Sequence, residues 1–238
     1  MIKYLNTVLF AGMIVMNYLA NALPLNNKKT GELSDSFPNL FVPAGITFSI
    51  WGVIYLLLIG YCFVQFSGTN QSAIKNISWF FGASCVLNAL WIVFWHYGKL
   101  PWSLLVMVGL LVTLIYINTL IRSLPLGIIK ASFGIYLGWI CIATIANITA
   151  LLVYYKWNTF SISEETWAII MIAAGALIAS LALFRFRNPY IGLSVIWAFA
   201  GIIIKRQADY RSIAVAAIIA LSLVGLMTVW GFLRKSML

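Results

Sequence analysis

The sequence has few charged residues: Asp, Glu, Lys and Arg occupy 8% of its 238 positions, against about a quarter in an ordinary soluble domain. Apolar and aromatic residues make up 63% of the chain. A water-soluble domain of this size needs polar cover for its exterior and cannot hide that much apolar surface. The composition therefore excludes a soluble enzyme, a secreted disulfide-rich scaffold and a disordered chain, and it predicts a protein embedded in lipid.

Continuous apolar runs recur along the chain, each close to the roughly 20 residues that a helix needs to cross a membrane. They predict an all-α, polytopic integral membrane helix bundle of about eight transmembrane helices. The predicted spans are 4–24, 44–66, 77–97, 101–122, 128–154, 166–184, 189–205 and 211–233. The first run has a signal-peptide alternative, because Ala20-Asn21-Ala22 resembles a cleavage site. Its length, and the amides of Asn17 and Asn21, favour a retained helix.

Basic residues outnumber acidic ones by fifteen to five, which gives a net charge of +10. They stand between the apolar runs, where Lys and Arg usually flank transmembrane helices near anionic headgroups. This distribution predicts contact with membrane lipid and no nucleic-acid partner. All five acidic residues fall in loops on one side of the predicted bundle. We therefore expect a multi-pass protein of the cell (inner or plasma) membrane, with both termini in the cytoplasm and the loop 25–43 on the opposite side.

Residues that carry chemistry are scarce. The centres of the predicted spans hold no Asp, Glu, Lys or Arg, which argues against a proton-driven pump because such pumps use intramembrane ionisable groups. No nucleophile motif, metal-ligand pattern or phosphate loop is present, so we expect no enzyme, no metal and no cofactor. Cys62, Cys85 and Cys141 lie in apolar runs as packing residues. His96 is typical of an interfacial aromatic belt, with an axial ligand as the alternative.

Two polar loops, 25–43 and 155–165, interrupt the apolar runs. The second separates five predicted spans from three, and it marks a candidate boundary between residues 1–157 and residues 158–238. Within the fifth span, Gly134 and Gly138 form a GxxxG pattern, which permits close contact with another helix.

Aromatic, amide and small residues recur at helical spacing on three of the predicted spans. The candidate ligand-binding residues on these stripes are Phe48, Trp51, Tyr55, Asn88, Trp91, Trp95, Tyr136, Trp139, Ala143 and Asn147. Such stripes are more often packing surfaces than pockets, and intramembrane amides more often bond to a neighbouring helix than orient a ligand. Periodicity therefore leaves both interpretations open.

The same three stripes resemble the TspO/MBR family, the tryptophan-rich sensory or translocator proteins. Residues 43–55, PAGITFSIWGVIY, are similar to the family's PPGxxFxxxWxxLY segment. Residues 87–91, LNALW, are similar to its LNxxW, and the residues Tyr136, Trp139, Ala143 and Asn147 match its YxxWxxxAxxxN. Order and spacing agree over roughly residues 1–157.

The chain departs from the family pattern at a few positions. Ala44 replaces the second proline, Ser84 replaces a glutamine, and one residue fewer separates Phe48 from Trp51. The family has five helices, so the chain resembles a divergent relative with a three-helix extension.

The resemblance implies a five-helix core, often a homodimer, that binds porphyrins or sterol-like molecules in an aromatic pocket under the first loop. Loop residues Lys28 and Lys29 could meet the carboxylates of such a ligand. The leading hypothesis is therefore a sensor or carrier whose partner is a flat, hydrophobic small molecule. The alternatives are a facilitative transporter of an uncharged or amphipathic solute, and an intramembrane enzyme that acts on a tetrapyrrole or a lipid.

Overall fold

The computed structural model describes residues 1–22 and 27–236 of the chain. Within these ranges the chain forms nine α-helices and no strand. They are α1 (Ile2–Ala22), α2 (Thr30–Asp35), α3 (Ile50–Val64), α4 (Gln71–His96), α5 (Leu100–Leu120), α6 (Ile128–Tyr154), α7 (Glu164–Phe186), α8 (Tyr190–Arg206) and α9 (Arg211–Ser236). Two short 3-10 helices, Gly45–Ser49 and Thr159–Ser161, precede α3 and α7.

Seven helical segments of the described chain are long and apolar enough to cross a membrane. The eighth long helix, α8, has 17 residues, which gives a length of about 26 Å against a hydrocarbon core of about 30 Å. The predicted polytopic helical bundle of about eight helices is confirmed. Pro189, expected at the first helical position of this span, is instead the N-cap of α8.

Most predicted spans agree with the observed helices to within a few residues, although the predicted end of the first span lies outside the described residues. α4 is the largest exception, because it begins at Gln71 rather than at 77. Its first turns contain Gln71 and Lys75, so they extend the helix beyond the apolar run. The sequence also did not predict α2, whose six residues start where the Lys29 backbone N–H donates to the Glu32 carboxylate at 3.0 Å.

The core of the bundle is centred on α6. In its most apolar stretch 72% of the residues are buried, because α3, α5, α7 and α8 all pack against it. The helices α1, α4 and α5 pack in series on one side, and α7, α8 and α9 pack against one another on the other. The buried apolar residues form one cluster that runs from α1 to α9.

Close contact between α6 and α8 depends on glycine, as the GxxxG pattern predicts. Gly138 lies directly against the Ile191 carbonyl and the Ser194 hydroxyl, and Gly134 lies against the Asn188 amide. The last three helices thus share their core with the first five. The division between residues 1–157 and 158–238 stays a prediction from the sequence.

Candidate functional site

The helical segment that carries Phe48, Trp51 and Tyr55 does not begin as an α-helix. Residues Gly45–Ser49 form a 3-10 helix, in which positions three apart lie directly above one another. Phe48 and Trp51 are three apart, and both rings meet the Trp139 ring edge-on, at centroid distances of 6.0 Å and 6.2 Å. Phe48 in the 3-10 helix and Trp51 in the first turn of α3 thus both reach α6, although one residue fewer separates them than in the family pattern.

The aromatic residues of the three stripes form one cluster, and four of its rings form a stack. The Trp51 ring stacks on the Trp91 ring at 5.7 Å between centroids and on the Tyr55 ring at 5.7 Å. Trp91 stacks in turn on Trp95 at 6.1 Å. The side chains of Trp51, Trp91, Trp95 and Trp139 are all buried. Stripes on three separate helices therefore converge on one place, as the sequence predicts for either a packed core or a pocket.

Buried amides tie the helices around this stack. The Asn17 Nδ2 donates to Asn88 Oδ1 at 2.8 Å, and the Asn88 Nδ2 donates to the Tyr136 hydroxyl at 2.8 Å. This chain of bonds joins α1, α4 and α6. For Asn17 and Asn88 the structure favours the interpretation that intramembrane amides hold helices together.

A small cavity lies between the aromatic stack and the first loop. Seven of the ten predicted site residues line it, namely Phe48, Trp51, Trp91, Trp95, Trp139, Ala143 and Asn147. Thr30 and Ser34 of α2 and Pro43 close it from the loop side. Tyr55, Asn88 and Tyr136 are not among the described residues that line it. A role of these ten residues in ligand binding stays a prediction.

The cavity has a volume of about 40 Å³, whereas pockets for small molecules measure about 300–1,000 Å³. The aromatic rings fill most of the space between the helices. A ligand larger than a water molecule or two can enter only if the first loop or the rings move. The arrangement therefore leaves no room for a ring-sized molecule.

Three polar atoms in the cavity wall are buried without a hydrogen-bond partner among the described residues. They are Nε1 of Trp91, Nε1 of Trp139 and Oδ1 of Asn147. The other side-chain atom of this amide, Asn147 Nδ2, donates to the Ser103 hydroxyl at 2.9 Å. A buried polar group without a hydrogen-bond partner lowers the stability of the folded state by about 1–3 kcal/mol. The residues of the wall thus include two donors and one acceptor that have no partner among the described residues.

The first loop is fixed to α4 at one side of the cavity. The Thr30 hydroxyl lies 3.1 Å from Nε2 of His96, and the Trp95 indole N–H donates to the Thr30 carbonyl at 3.4 Å. His96 is buried under the loop rather than exposed in an interfacial belt. It is not among the described residues that line the cavity.

The other side of the loop is fixed to α8, a contact that the sequence analysis did not predict. The Lys205 ammonium pairs with the Asp35 carboxylate at 2.6 Å. The Arg206 guanidinium donates to the carbonyls of Leu40 at 3.0 Å and Asn39 at 2.8 Å. Contacts across more than 160 positions of the chain leave no periodic signal in the sequence.

A second set of contacts fixes the 3-10 helix to α8. The Ala44 backbone N–H donates to the Gly201 carbonyl at 3.0 Å, and the Trp197 indole N–H donates to the Thr47 carbonyl at 2.9 Å. The Thr47 side chain lies directly against Gly201, in the space that a Cβ atom there would need. One helix of the C-terminal segment thus holds both the cover of the cavity and the start of its aromatic wall.

We expect Arg206→Gln to loosen the first loop. The variant loses charge-assisted hydrogen bonds to two loop carbonyls, and such bonds contribute about 1.5–3 kcal/mol. Hydrogen exchange of the Phe41 and Val42 amides should therefore become about tenfold faster or more. Lys205→Gln removes a partly exposed ion pair and should have a smaller effect, at most about fivefold. The matched control is Arg185→Gln, which changes an exposed residue near the end of α7. If the Phe41 and Val42 amides exchange at the same rate in all three variants, Arg206 does not hold the first loop.

A family model described as TSPO-like protein matches residues 3–230 of the chain. The motifs that show the resemblance lie within residues 1–157. The match to the family model extends beyond them, through α7 and α8 into α9. No curated protein and no solved structure matches the chain.

Proposed function

The chain belongs to the TSPO-like family, and from that premise we propose that it binds a flat, hydrophobic ligand in the aromatic cavity and acts as a membrane sensor or carrier of that ligand. The family membership and the seven segments that are long and apolar enough to cross a membrane support a multi-pass membrane protein of the sensory or translocator type. The ligand class, a porphyrin or other tetrapyrrole or a sterol-like molecule, is part of the proposal.

One observation carries the proposal: the cavity wall combines stacked tryptophans with polar atoms that have no partner among the described residues. Flat ring systems gain from offset or edge-on contact with indole rings. The indole N–H groups of Trp91 and Trp139 would donate to carbonyl or carboxylate oxygens at the edge of the ligand. Lys28 and Lys29, which directly precede α2 in the first loop, would supply positive charge for ligand carboxylates.

The proposal is tested by titrating detergent-solubilised protein with protoporphyrin and following the quenching of tryptophan fluorescence. Each lost ring contact should cost about 0.5–1.5 kcal/mol, so Trp139→Leu should weaken affinity between about twofold and tenfold. Trp51→Leu and Trp91→Leu should behave similarly. The matched control is Trp102→Leu, because Trp102 is 58% exposed at the start of α5. Unchanged affinity in all three cavity variants would show that these tryptophans only pack.

Asn147→Ala separates the two roles of this amide. If Asn147 orients the ligand through Oδ1, affinity falls while thermal stability holds. If its bond to Ser103 mainly joins α6 to α5, stability falls first. Only the first result supports a ligand-orienting role for this residue.

A carrier moves its ligand across the membrane, whereas a sensor only binds it. Reconstituted vesicles that take up the ligand would identify a carrier, and binding without uptake would identify a sensor. Chromatography of the recovered ligand should show it chemically unchanged, because we propose binding without catalysis. A homodimer stays a prediction from the resemblance.

A further inference from the structure

A second and larger cavity, of about 410 Å³, lies at the end of the bundle away from the first loop. It is formed where α7 ends, α8 begins and α9 ends. Its wall contains three arginines, Arg122, Arg187 and Arg234, together with apolar residues that include Leu183, Phe184 and Trp230. No acidic residue lines this cavity in the described part of the chain.

No carboxylate among residues 1–22 and 27–236 neutralises the positive charge of this cavity. The five acidic residues of the chain all lie at the opposite end of the bundle, in α2, at the start of α7 and between α8 and α9. None of the three arginines forms an ion pair within the described residues, and Nε of Arg122 is buried there without a hydrogen-bond partner. A cluster of guanidinium groups without carboxylates among the described residues is suited to holding an anion.

The backbone that carries two of these arginines is held in place by a buried lysine. The Lys130 ammonium donates to the carbonyl of Arg122 at 2.8 Å and to that of Arg187 at 3.2 Å. The Asn188 amide in turn donates to the Lys130 carbonyl at 2.9 Å and to the Asn118 side chain at 3.0 Å. The arginines thus stand on a fixed framework, which lowers the cost of ordering them around a ligand.

The apolar part of the wall faces the region that lipid occupies. Phe184 is 74% exposed and Trp230 is 53% exposed, and the Arg234 guanidinium lies 5.0 Å from the centre of the Trp230 ring. A ligand that fits has an anionic head for the arginines and a hydrocarbon chain along Phe184 and Trp230. Arginine forks match phosphate oxygens in geometry as well as charge.

We propose that this cavity is a binding site for the phosphate headgroup of an anionic phospholipid. The site is distinct from the aromatic cavity and does not depend on the proposed function. The cavity lies at the basic end of the bundle, which places it at the level of the lipid headgroups. Anionic headgroups at this level attract Lys and Arg side chains.

The test compares lipid probes on the purified full-length protein by native mass spectrometry and thermal shift. We expect phosphatidylglycerol to remain bound and to raise the melting temperature, and phosphatidylcholine to do so at least about tenfold more weakly. Arg122→Gln, Arg187→Gln and Arg234→Gln should each weaken phosphatidylglycerol binding by about fivefold or more. Their melting temperatures without lipid should stay close to that of the wild type, because Lys130 bonds to the backbone rather than to the arginine side chains.

The control Arg185→Gln changes an exposed arginine near the same end that does not line the cavity, and it should bind phosphatidylglycerol like the wild type. Inorganic phosphate serves as the second probe. If phosphate alone binds as tightly as the lipid and displaces it, the site belongs to a soluble phosphate and the lipid assignment is wrong. Equal binding of the two lipids, or unchanged binding in all three cavity variants, would also overturn it.

Discussion

Replacing Gly138 by leucine is expected to break the contact between α6 and α8 and to lower stability more than any change at the surface. Even the Cβ atom of alanine at this position would overlap the Ile191 carbonyl and the Ser194 hydroxyl. The Ile191 carbonyl belongs to the first turn of α8, and a backbone carbonyl held in a helix cannot turn away as a flexible side chain can. Overpacking usually costs about 1–3 kcal/mol, and we expect Gly138→Ala at the upper end of that range and Gly138→Leu beyond it.

The measurement is the half-life of the folded protein in detergent at a fixed elevated temperature, because large membrane proteins often unfold irreversibly. Gly109→Ala is the matched control. It also lies in a transmembrane helix, but its Cβ atom would make only ordinary contact with the Leu87 side chain, at 3.6 Å. The control should be unchanged or slightly more stable, since alanine favours helix over glycine by up to about 1 kcal/mol. Equal half-lives for the two alanine variants would mean that α8 does not sit against Gly138.

Lys130→Met is expected to have the next largest effect. Lys130 is 0% exposed. Its ammonium donates hydrogen bonds to the backbone carbonyl groups of Arg122 and Arg187, which follow the ends of α5 and α7. Positive charge at helix C-termini is favourable, and hydrogen bonds from a charged donor contribute about 1.5–3 kcal/mol. Methionine keeps the length and the apolar stem but provides no donor, so we expect a loss of about 2–3 kcal/mol.

This loss would be measured by the same thermal inactivation. Lys75→Met, on an exposed part of α4, is the control and should change the half-life little. Lys130→Met should also disturb the arginine cavity, because two of its arginines would lose their fixed backbone. Wild-type stability in Lys130→Met would show that water satisfies these carbonyls equally well.

The sequence predicted the features that depend on composition and period. Long apolar runs with few charges identified the helices, and aromatic spacing identified residues that do converge, such as Trp51, Trp91 and Trp139. The GxxxG pattern marked the close contact at Gly138. These signals are local, since each is contained within one helix.

Features that depend on distant pairs were not predicted. Lys130 was counted among the basic residues that flank the spans, yet it is buried within the first turn of α6. The role of Arg206 in holding the first loop depends on residues about 166 positions away. The short helix α2 carries too few residues for a periodic pattern. The 3-10 helix before Trp51 could be anticipated only from the missing residue in that segment.

The helix α8 connects the surroundings of the two cavities. Asn188 and Pro189, just before its start, line the arginine cavity, and Lys205 and Arg206 at its end hold the first loop that covers the aromatic cavity. Because α8 is one continuous helix of 17 residues, we expect a shift at one end to be transmitted to the other. Thermodynamic linkage then requires reciprocity. If occupancy of the arginine cavity tightens binding under the first loop by some factor, the ligand under the loop must tighten binding at the arginines by the same factor. The composition of the surrounding bilayer would thereby set the sensitivity of the aromatic site.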